Sequence, residues 1–598
     1  MLSLISRLMQ IFDRKDMPSF ICLGLANLLN SFLEILGIGL LLPLVAFLGK
    51  PELVHSNPIV ARVYDGFHFQ SFPQFIIVIA SGVIAVFVAK ALLLTVISFW
   101  QAKFVLEKKT FLKARLFRGY LMSPYTFHLK SDLARMQRNL ELVDSVMSNS
   151  VLQLFYIFTE LVLVLCLFLV LLVTYPLLTL LAAGSLGGAF GVFVACTKGR
   201  LRTWGEIAGR HKVRMLQQVN QGLGSIKEVK IFGKEDFFAG HYRHHVAQYS
   251  WQETKAELVS KAPRLFIEVL VVGLVMLGVI YCMWTGKASE KIFVTISLFV
   301  VVAVRLMPSM NRISAGWASI RNSSAYFDQI YGDLVASAGV IDERLAVDRI
   351  LLPFQRELRL EAIDFSYEGA ECRALDGVSL TVPKNATVGF VGPSGAGKTT
   401  VIDIIIGVLK PAQGRVLVDG VDVQGRIRAW QDQIGYIPQA IYLCNESIRQ
   451  NVAFGIEPEK IDDTKVWRAL ELAQLDVFVK GLPSGLLTEI GERGVRLSGG
   501  QRQRIGIARA LYNDPAVLVM DEATAALDNE TERDFMDSLT SLSGSKTILI
   551  IAHRLTTVQA CDVIFFMKDG KLVSSGRYDQ LTAQCQEFRD MAGAGITA

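Results

Sequence analysis

No two cysteines in this chain stand at C-x-x-C spacing. The eight present, at positions 22, 166, 196, 282, 372, 444, 561 and 585, are scattered through 598 residues. That excludes a disulfide framework or a thiolate zinc centre as the organising feature, and leaves reduced, buried thiols as the expectation. Charge is also thin, at 19% of residues against 52% apolar, with a net charge of only +6. No basic stripe is interleaved with aromatics in the way that stacks nucleic-acid bases, so no nucleic-acid partner is expected. The N-terminus (MLSLISRLMQIFDRKD) has neither the short apolar core nor the small-residue cleavage site of a secretory signal. Its apolar residues recur at helical spacing beside Arg7, Arg14 and Lys15, which predicts an interfacial helix over 1–16.

Long apolar runs are abundant, but only in the first half. A chain of this length exceeds one core and implies two or more domains. Between Met17 and about Met310 the sequence carries apolar stretches near 19–48, 75–100, 151–174, 177–196, 265–284 and 292–310. Each is long enough to cross a hydrocarbon core of roughly 30 Å as a helix. Basic residues set the orientation. Nine Lys or Arg lie from Lys103 to Arg138 and thirteen from Lys198 to Arg264, whereas the opposite-side loops hold chiefly Lys50, Arg62, Lys287 and Lys291. The positive-inside rule places both long connections, the N-terminus and the C-terminal region on the cytoplasmic side. The expected organisation is an interfacial helix (1–16), a six-helix membrane domain with long cytoplasmic extensions (17–331), a linker (332–355) and a soluble α/β domain (356–598).

Three strings in the soluble half carry chemistry. The apolar strand ATVGFV is followed by GPSGAGKT at 392–399, the strand–glycine loop–helix context of a P-loop. Small residues let backbone N–H groups turn onto phosphate, and the helix N-terminus adds its positive dipole end. Gly392, Ser394, Gly395 and Gly397 form the loop. Lys398 is placed for the β- and γ-phosphates, Thr399 for Mg²⁺, and Thr400 completes the set. VLVMDE at 517–522 reads as a second buried strand ending in two acids. Asp521 is placed to hold Mg²⁺, and Glu522 to polarise the attacking water as general base. LSGGQ at 497–501 opens a helix, which puts Ser498, Gly499, Gly500 and Gln501 at an outward-facing positive end.

These motifs, in this order behind six membrane spans, resemble an ABC exporter half-transporter. The fold class implied is an α-helical membrane domain joined to an α/β P-loop NTPase domain, with ATP and Mg²⁺ as cofactors. In that family the LSGGQ helix caps the γ-phosphate bound by the opposite subunit, which implies a site made from two chains. The resemblance also implies roles for single residues. Tyr367 (in DFSYEG) would stack on adenine, and Gln439 (in GYIPQAIYL) would be the glutamine that contacts magnesium or water. GERG at 491–494 resembles the exporter X-loop, and Asp528 lies in the matching D-loop. His553 (in IIAHRL) would contact the γ-phosphate. No motif is degenerate, which favours identical partners, so that a homodimer would hold two complete sites. The breaks at Met122-Ser123-Pro124-Tyr125 and within IKEVKIFGKEDFF (226–238) resemble the two crosswise coupling helices.

A closer resemblance bears on cargo. LEILGIGLLLPLV, APRLFIEVL and VAVRLMPSMNRI in spans one, five and six are similar to the PglK-type flippases of lipid-linked oligosaccharides. Basic cavity residues in that family are thought to attract a polyprenyl pyrophosphate. Arg264 and Arg305 fall on matching positions, and Lys90 stands where an arginine is expected, keeping the charge without the bidentate fork. The resemblance implies a polyprenyl-linked glycan as substrate, in a bacterial-type cytoplasmic membrane. The residues themselves leave two readings open. Glu34, Lys90, Glu160, Glu268, Arg264 and Arg305 either face a cavity or pair with one another.

Overall fold

The computed structural model describes residues 16–29, 31–33, 71–174, 176–284, 290–345, 352–521, 543–552 and 555–594. Contacts divide the chain into two compact units, 1–123 with 130–341, and 124–129 with 342–598.

Up to Leu345 the described chain is built of helices joined by short turns. Its elements are α1 (Met17–Leu33), α2 (Phe72–Met122), α3 (Tyr125–Lys130), α4 (Leu133–Val146), α5 (Leu152–Thr174), α6 (Pro176–Gly224), α7 (Ile226–Ile231), α8 (Glu235–Trp284) and α9 (Glu290–Leu345). Helix α3 belongs to the second unit for all but its last residue. A single π-helical turn, Met147–Val151, joins α4 to α5 and sets Ser150 on Ser323 at 2.8 Å. At 51 residues α2 is about 77 Å long, more than twice a hydrocarbon core. The apolar half of α2 is therefore the spanning half. The most apolar stretch there has a mean hydropathy of 2.6 and only 6% of it is buried, so it has the length and composition to cross a membrane and does not form a core of its own. The polar half of the bundle is held by a buried network. Tyr120 donates to Asp333 (2.7 Å), Asn139 donates to Asp333 (2.8 Å), and Arg138 donates to Gln329 (2.6 Å) and the Gly209 carbonyl (3.2 Å).

At the breaks at 122–125 and 226–238 the helices are interrupted: the short α3 separates α2 from α4, and the short α7 separates α6 from α8. The segment 332–355 does not behave as a free linker. Helix α9 runs on to Leu345, and Leu352 and Phe354 are buried in the core of the second unit. A near-continuous apolar periodicity carried the helix past the boundary that composition suggested.

The second unit has two sheets. An antiparallel one runs β2-β1-β4-β5, from β1 (Glu357–Phe365), β2 (Leu375–Pro383), β4 (Gln413–Val418) and β5 (Val421–Asp422). The other runs β10-β9-β3-β8-β7-β6 and is parallel except at β10 (Lys571–Gly576). Its inner strands β3 (Thr387–Val391), β7 (Val517–Asp521), β8 (Thr547–Ile551) and β9 (Val563–Lys568) are unbroken apolar runs, as a sheet covered on both faces requires. Strand β6 (Ile434–Ile437) closes the edge. In such a sheet ligands bind beyond the carboxyl ends of the strands, and the sequence motifs leave β3, β7 and β6 there.

Candidate functional site

The P-loop leaves β3 at Gly392 and enters α10 (Lys398–Ile405) at once. Gly397 sits at φ +95, and a Cβ there would lie 2.7 Å from the Ala374 carbonyl oxygen, so glycine is required by both backbone and space. Lys398 is buried, and its Nζ donates to the Gly392 (2.8 Å) and Pro393 (3.0 Å) carbonyls, lying across the loop that would cradle phosphate. Ser394, Gly395 and Thr399 are exposed, whereas Thr400 is buried and shares a 3.2 Å hydroxyl contact with Tyr367. The two side chains assigned to opposite ends of a nucleotide therefore belong to one site. Tyr367 packs edge-on against Phe365, with its ring centroid 5.0 Å away.

Asp521 ends β7, and Gln439 follows β6 by two residues. Those strands pair in parallel with Ile437 beside Met520, so both side chains leave the sheet at the same end. Tyr436 donates weakly to the Asp521 carboxylate at 3.5 Å. Sequence reasoning missed Tyr436, and it also missed Asp403. Asp403 lies one helical turn beyond Thr399 on α10, and its carboxyl is pushed up to about 6, chiefly by burial and then by the charge of Asp521. The Tyr436 hydroxyl is held above its usual range by burial, then by Asp521 and Asp403. The available signal was an acid at i+4 from the P-loop threonine, on the helix face turned toward the second strand. Tyr125, at the head of α3, is raised by burial and then by Asp403.

Ser498 is the exposed N-cap of α15 (Gly499–Leu511). Its backbone N–H donates to Gln501 Oε1 (2.9 Å), and its Oγ accepts from the Gln501 N–H (3.2 Å), a reciprocal capping box. Gly499, Gly500 and Gln501 are only partly covered, which leaves the helix end open to an anion. Leu497 is rooted in one apolar core of the unit and the P-loop helix, through Val401 and Ile402, in the other. Glu522, Asp528 and His553 lie outside the described residues.

In the membrane half, Lys90 is partly covered, with its Nζ 5.5 Å from the centre of the Phe87 ring. Arg264 and Arg305 lie on α8 and α9, and their side chains are outside the described positions; Glu34 is outside altogether. Glu268 is exposed, and Glu160 is buried against Arg312, a partner the sequence reading did not count. For Glu160, at least, pairing rather than a free cavity position is what the fold provides.

The fold is of the ABC exporter type: long apolar helices precede a P-loop α/β domain in the chain. The likeness to solved structures supports it. A bacterial Atm1-family ABC exporter with ATP bound superposes with a TM-score of 0.75, covering 97% of this chain and 99% of that one at 23% identity, which is a likeness of fold. Residues 375–525 match the ABC transporter family model, so the second unit carries an ABC transporter domain. Among curated relatives, an ATP-dependent lipid A-core flippase of Cupriavidus metallidurans is 33% identical over 371 residues, 61% of each chain. A multidrug resistance ABC transporter ATP-binding and permease protein of Lactococcus lactis is 32% identical over 54% of each. The matched stretch thus spans 61% of the flippase and 54% of the multidrug protein.

Proposed function

We propose that the chain is half of an ATP-driven exporter that works as a homodimer in a bacterial-type cytoplasmic membrane and flips a lipid-linked oligosaccharide to the outer leaflet. The observation that carries the engine is the convergence of Lys398, Tyr367 and Thr400 on one loop, beside the strand ends bearing Asp521 and Gln439. Lys398 would exchange its carbonyl partners for the β- and γ-phosphates, and Tyr367 would turn its ring to adenine. The Thr399 hydroxyl, the Asp521 carboxylate and the Gln439 amide are hard oxygen donors that suit Mg²⁺. When bound, the ion held there would supply neutralisation of the phosphate charge. Glu522 would hold the attacking water and take its proton, and His553 would contact the γ-phosphate. Ser498, Gly499, Gly500 and Gln501, with Asp528 nearby, would reach the site of the second copy.

The cargo reading rests on the basic residues Lys90, Arg264 and Arg305, together with the similarity to proteins named as flippases. Their electrostatics suit an anionic headgroup, and the intact motif set favours identical partners. A second reading, export of drugs or peptides, is favoured by the multidrug-resistance relative. The decisive measurement is leaflet-to-leaflet transfer of a polyprenyl-pyrophosphate oligosaccharide in proteoliposomes, with ATP and with Glu522→Gln. The variant is expected to bind ATP while turnover drops by about 10²-fold or more. ATP-dependent transfer lost in the variant supports flipping. Robust hydrolysis without transfer keeps the engine and moves the cargo to lipid A-core or amphipathic drugs.

A further inference from the structure

The chain has eight histidines, and three of them meet at one place outside the nucleotide site, with a fourth one helical turn away. His211 on α6 faces His245 on α8 with their Nδ1 atoms 3.1 Å apart and ring centroids 5.3 Å apart. His244 adds a ring 5.3 Å from His245 and 6.4 Å from His211. His241, one turn earlier on α8, donates its Nδ1–H to the Phe237 carbonyl at 2.9 Å. Helices α6 and α8 include the fourth and fifth apolar runs, and the short α7 lies between them in the chain.

An Nδ1-to-Nδ1 hydrogen bond requires one ring to donate and the other to accept. The pair can hold no proton beyond that, or one shared proton. With both rings protonated, the acceptor is lost and two like charges face each other at hydrogen-bond distance. The surrounding groups sharpen this. Arg210 and His244 bear on His211, and Arg214, His244 and His241 bear on His245, all of them basic. From α4, Glu141 is engaged by Lys212 at 3.0 Å, and from α9, Tyr326 faces Glu253 rather than the rings. Burial comes first and these charges next in holding both imidazoles below their ordinary range. The same basic field disfavours a dication, and among the described residues no group of three ligands is arranged to hold one.

We infer that His211 and His245 form a proton-sensitive clasp between α6 and α8: closed while at least one ring is neutral, and opened when both are charged. Because folded-state protonation is suppressed, the clasp contributes fully above the ordinary imidazole range and is lost as pH falls below it. Opening would loosen the hairpin whose tip is α7. That this alters coupling to the ATPase domain rests on the reading proposed above, but the clasp itself does not.

The test is amide hydrogen exchange of full-length protein in lipid nanodiscs, corrected for intrinsic rates, between about pH 7.5 and about pH 5.5. Segments 205–220 and 236–250 are expected to lose about tenfold of their protection in the wild type, the effect of roughly one pKa unit. His245→Gln and His211→Gln keep a neutral hydrogen-bonding side chain and should show no such fall, with ATP hydrolysis at about pH 7.5 retained as proof of folding. A wild type that keeps its protection overturns the inference, and so does an equal fall in both variants. Transport plays no part in this readout, so a failed clasp and a failed cargo assignment are separable.

Discussion

Two glycines of the same loop separate backbone strain from steric exclusion. At Gly395, φ is +80 and a Cβ would meet nothing within 4 Å; at Gly397, φ is +95 and a Cβ would lie 2.7 Å from a carbonyl oxygen and 2.8 Å from Leu375 Cδ2. Gly395→Ala is expected to cost about 1–2 kcal/mol from conformation alone. Gly397→Ala should exceed it by about 1–3 kcal/mol and lower the melting temperature of the nucleotide-free protein correspondingly further. Equal melting temperatures would contradict the packing described for the start of α10. Asp403 makes a pH prediction at the same scale. Its folded value, about 6, lies above the ordinary 3.8. The folded state therefore holds more proton in that window, and the contribution of this group falls as pH rises through it. Asp403→Asn, neutral throughout, should raise the melting temperature near pH 7.5 and leave it unchanged near pH 4, in protein free of nucleotide and magnesium. These two residues also mark what could be read from sequence. Gly397 was legible because its constraint is local, a tight turn between a strand and a helix. Asp403 and Tyr436 were not, because the neighbour that perturbs both is Asp521, brought close by the strand order β3-β8-β7-β6.

At the scale of elements, helix starts were the most legible feature and ionisable partners the least. GKT opens α10 and SGGQ opens α15 where the strings place them, since capping and dipole effects act within one turn. The partner of Glu160 could not be read in this way: Arg312 lies 152 residues away on α9 and meets α5 only through packing. Ser498 is the N-cap of α15, and the proposed function gives it a second, separable role as an anion contact. Ser498→Ala removes the cap and should destabilise by about 1 kcal/mol. Ser498→Asp keeps an N-cap acceptor and should hold stability within about 0.5 kcal/mol of wild type. The added carboxylate would oppose a γ-phosphate presented by the second copy, so ATP turnover should be abolished while nucleotide binding to the P-loop persists. Measuring melting temperature and hydrolysis on both variants checks the assignment. Full hydrolysis by Ser498→Asp would mean that α15 does not approach a phosphate.

At the scale of the whole molecule, the apolar residues that lack a core are as informative as those that have one. Along α2 they fall where lipid would lie. At the far end of the α6–α8 hairpin they fall where the chain is most polar: Ile231 is 69% exposed and Phe232 67%, with Ile226 and Phe237 also exposed. The charged residues around them, among them Lys230 paired with Glu235 at 3.0 Å, keep the tip soluble, so the apolar side chains are there at a cost. In the homodimer proposed here, this tip is the element that resembles the second coupling helix, and a contact made by ordinary burial would account for it. Phe232→Glu then gives a sharp expectation. The residue stabilises little within its own unit, so the melting temperature should stay within about 0.5 kcal/mol equivalent of wild type. ATP binding should also persist, because no nucleotide-site residue is touched. Transport, and any stimulation of hydrolysis by cargo, should be lost together. If Phe232→Glu transports at the wild-type rate, the exposed tip is not a coupling surface; if it melts early, Phe232 packs within its own unit.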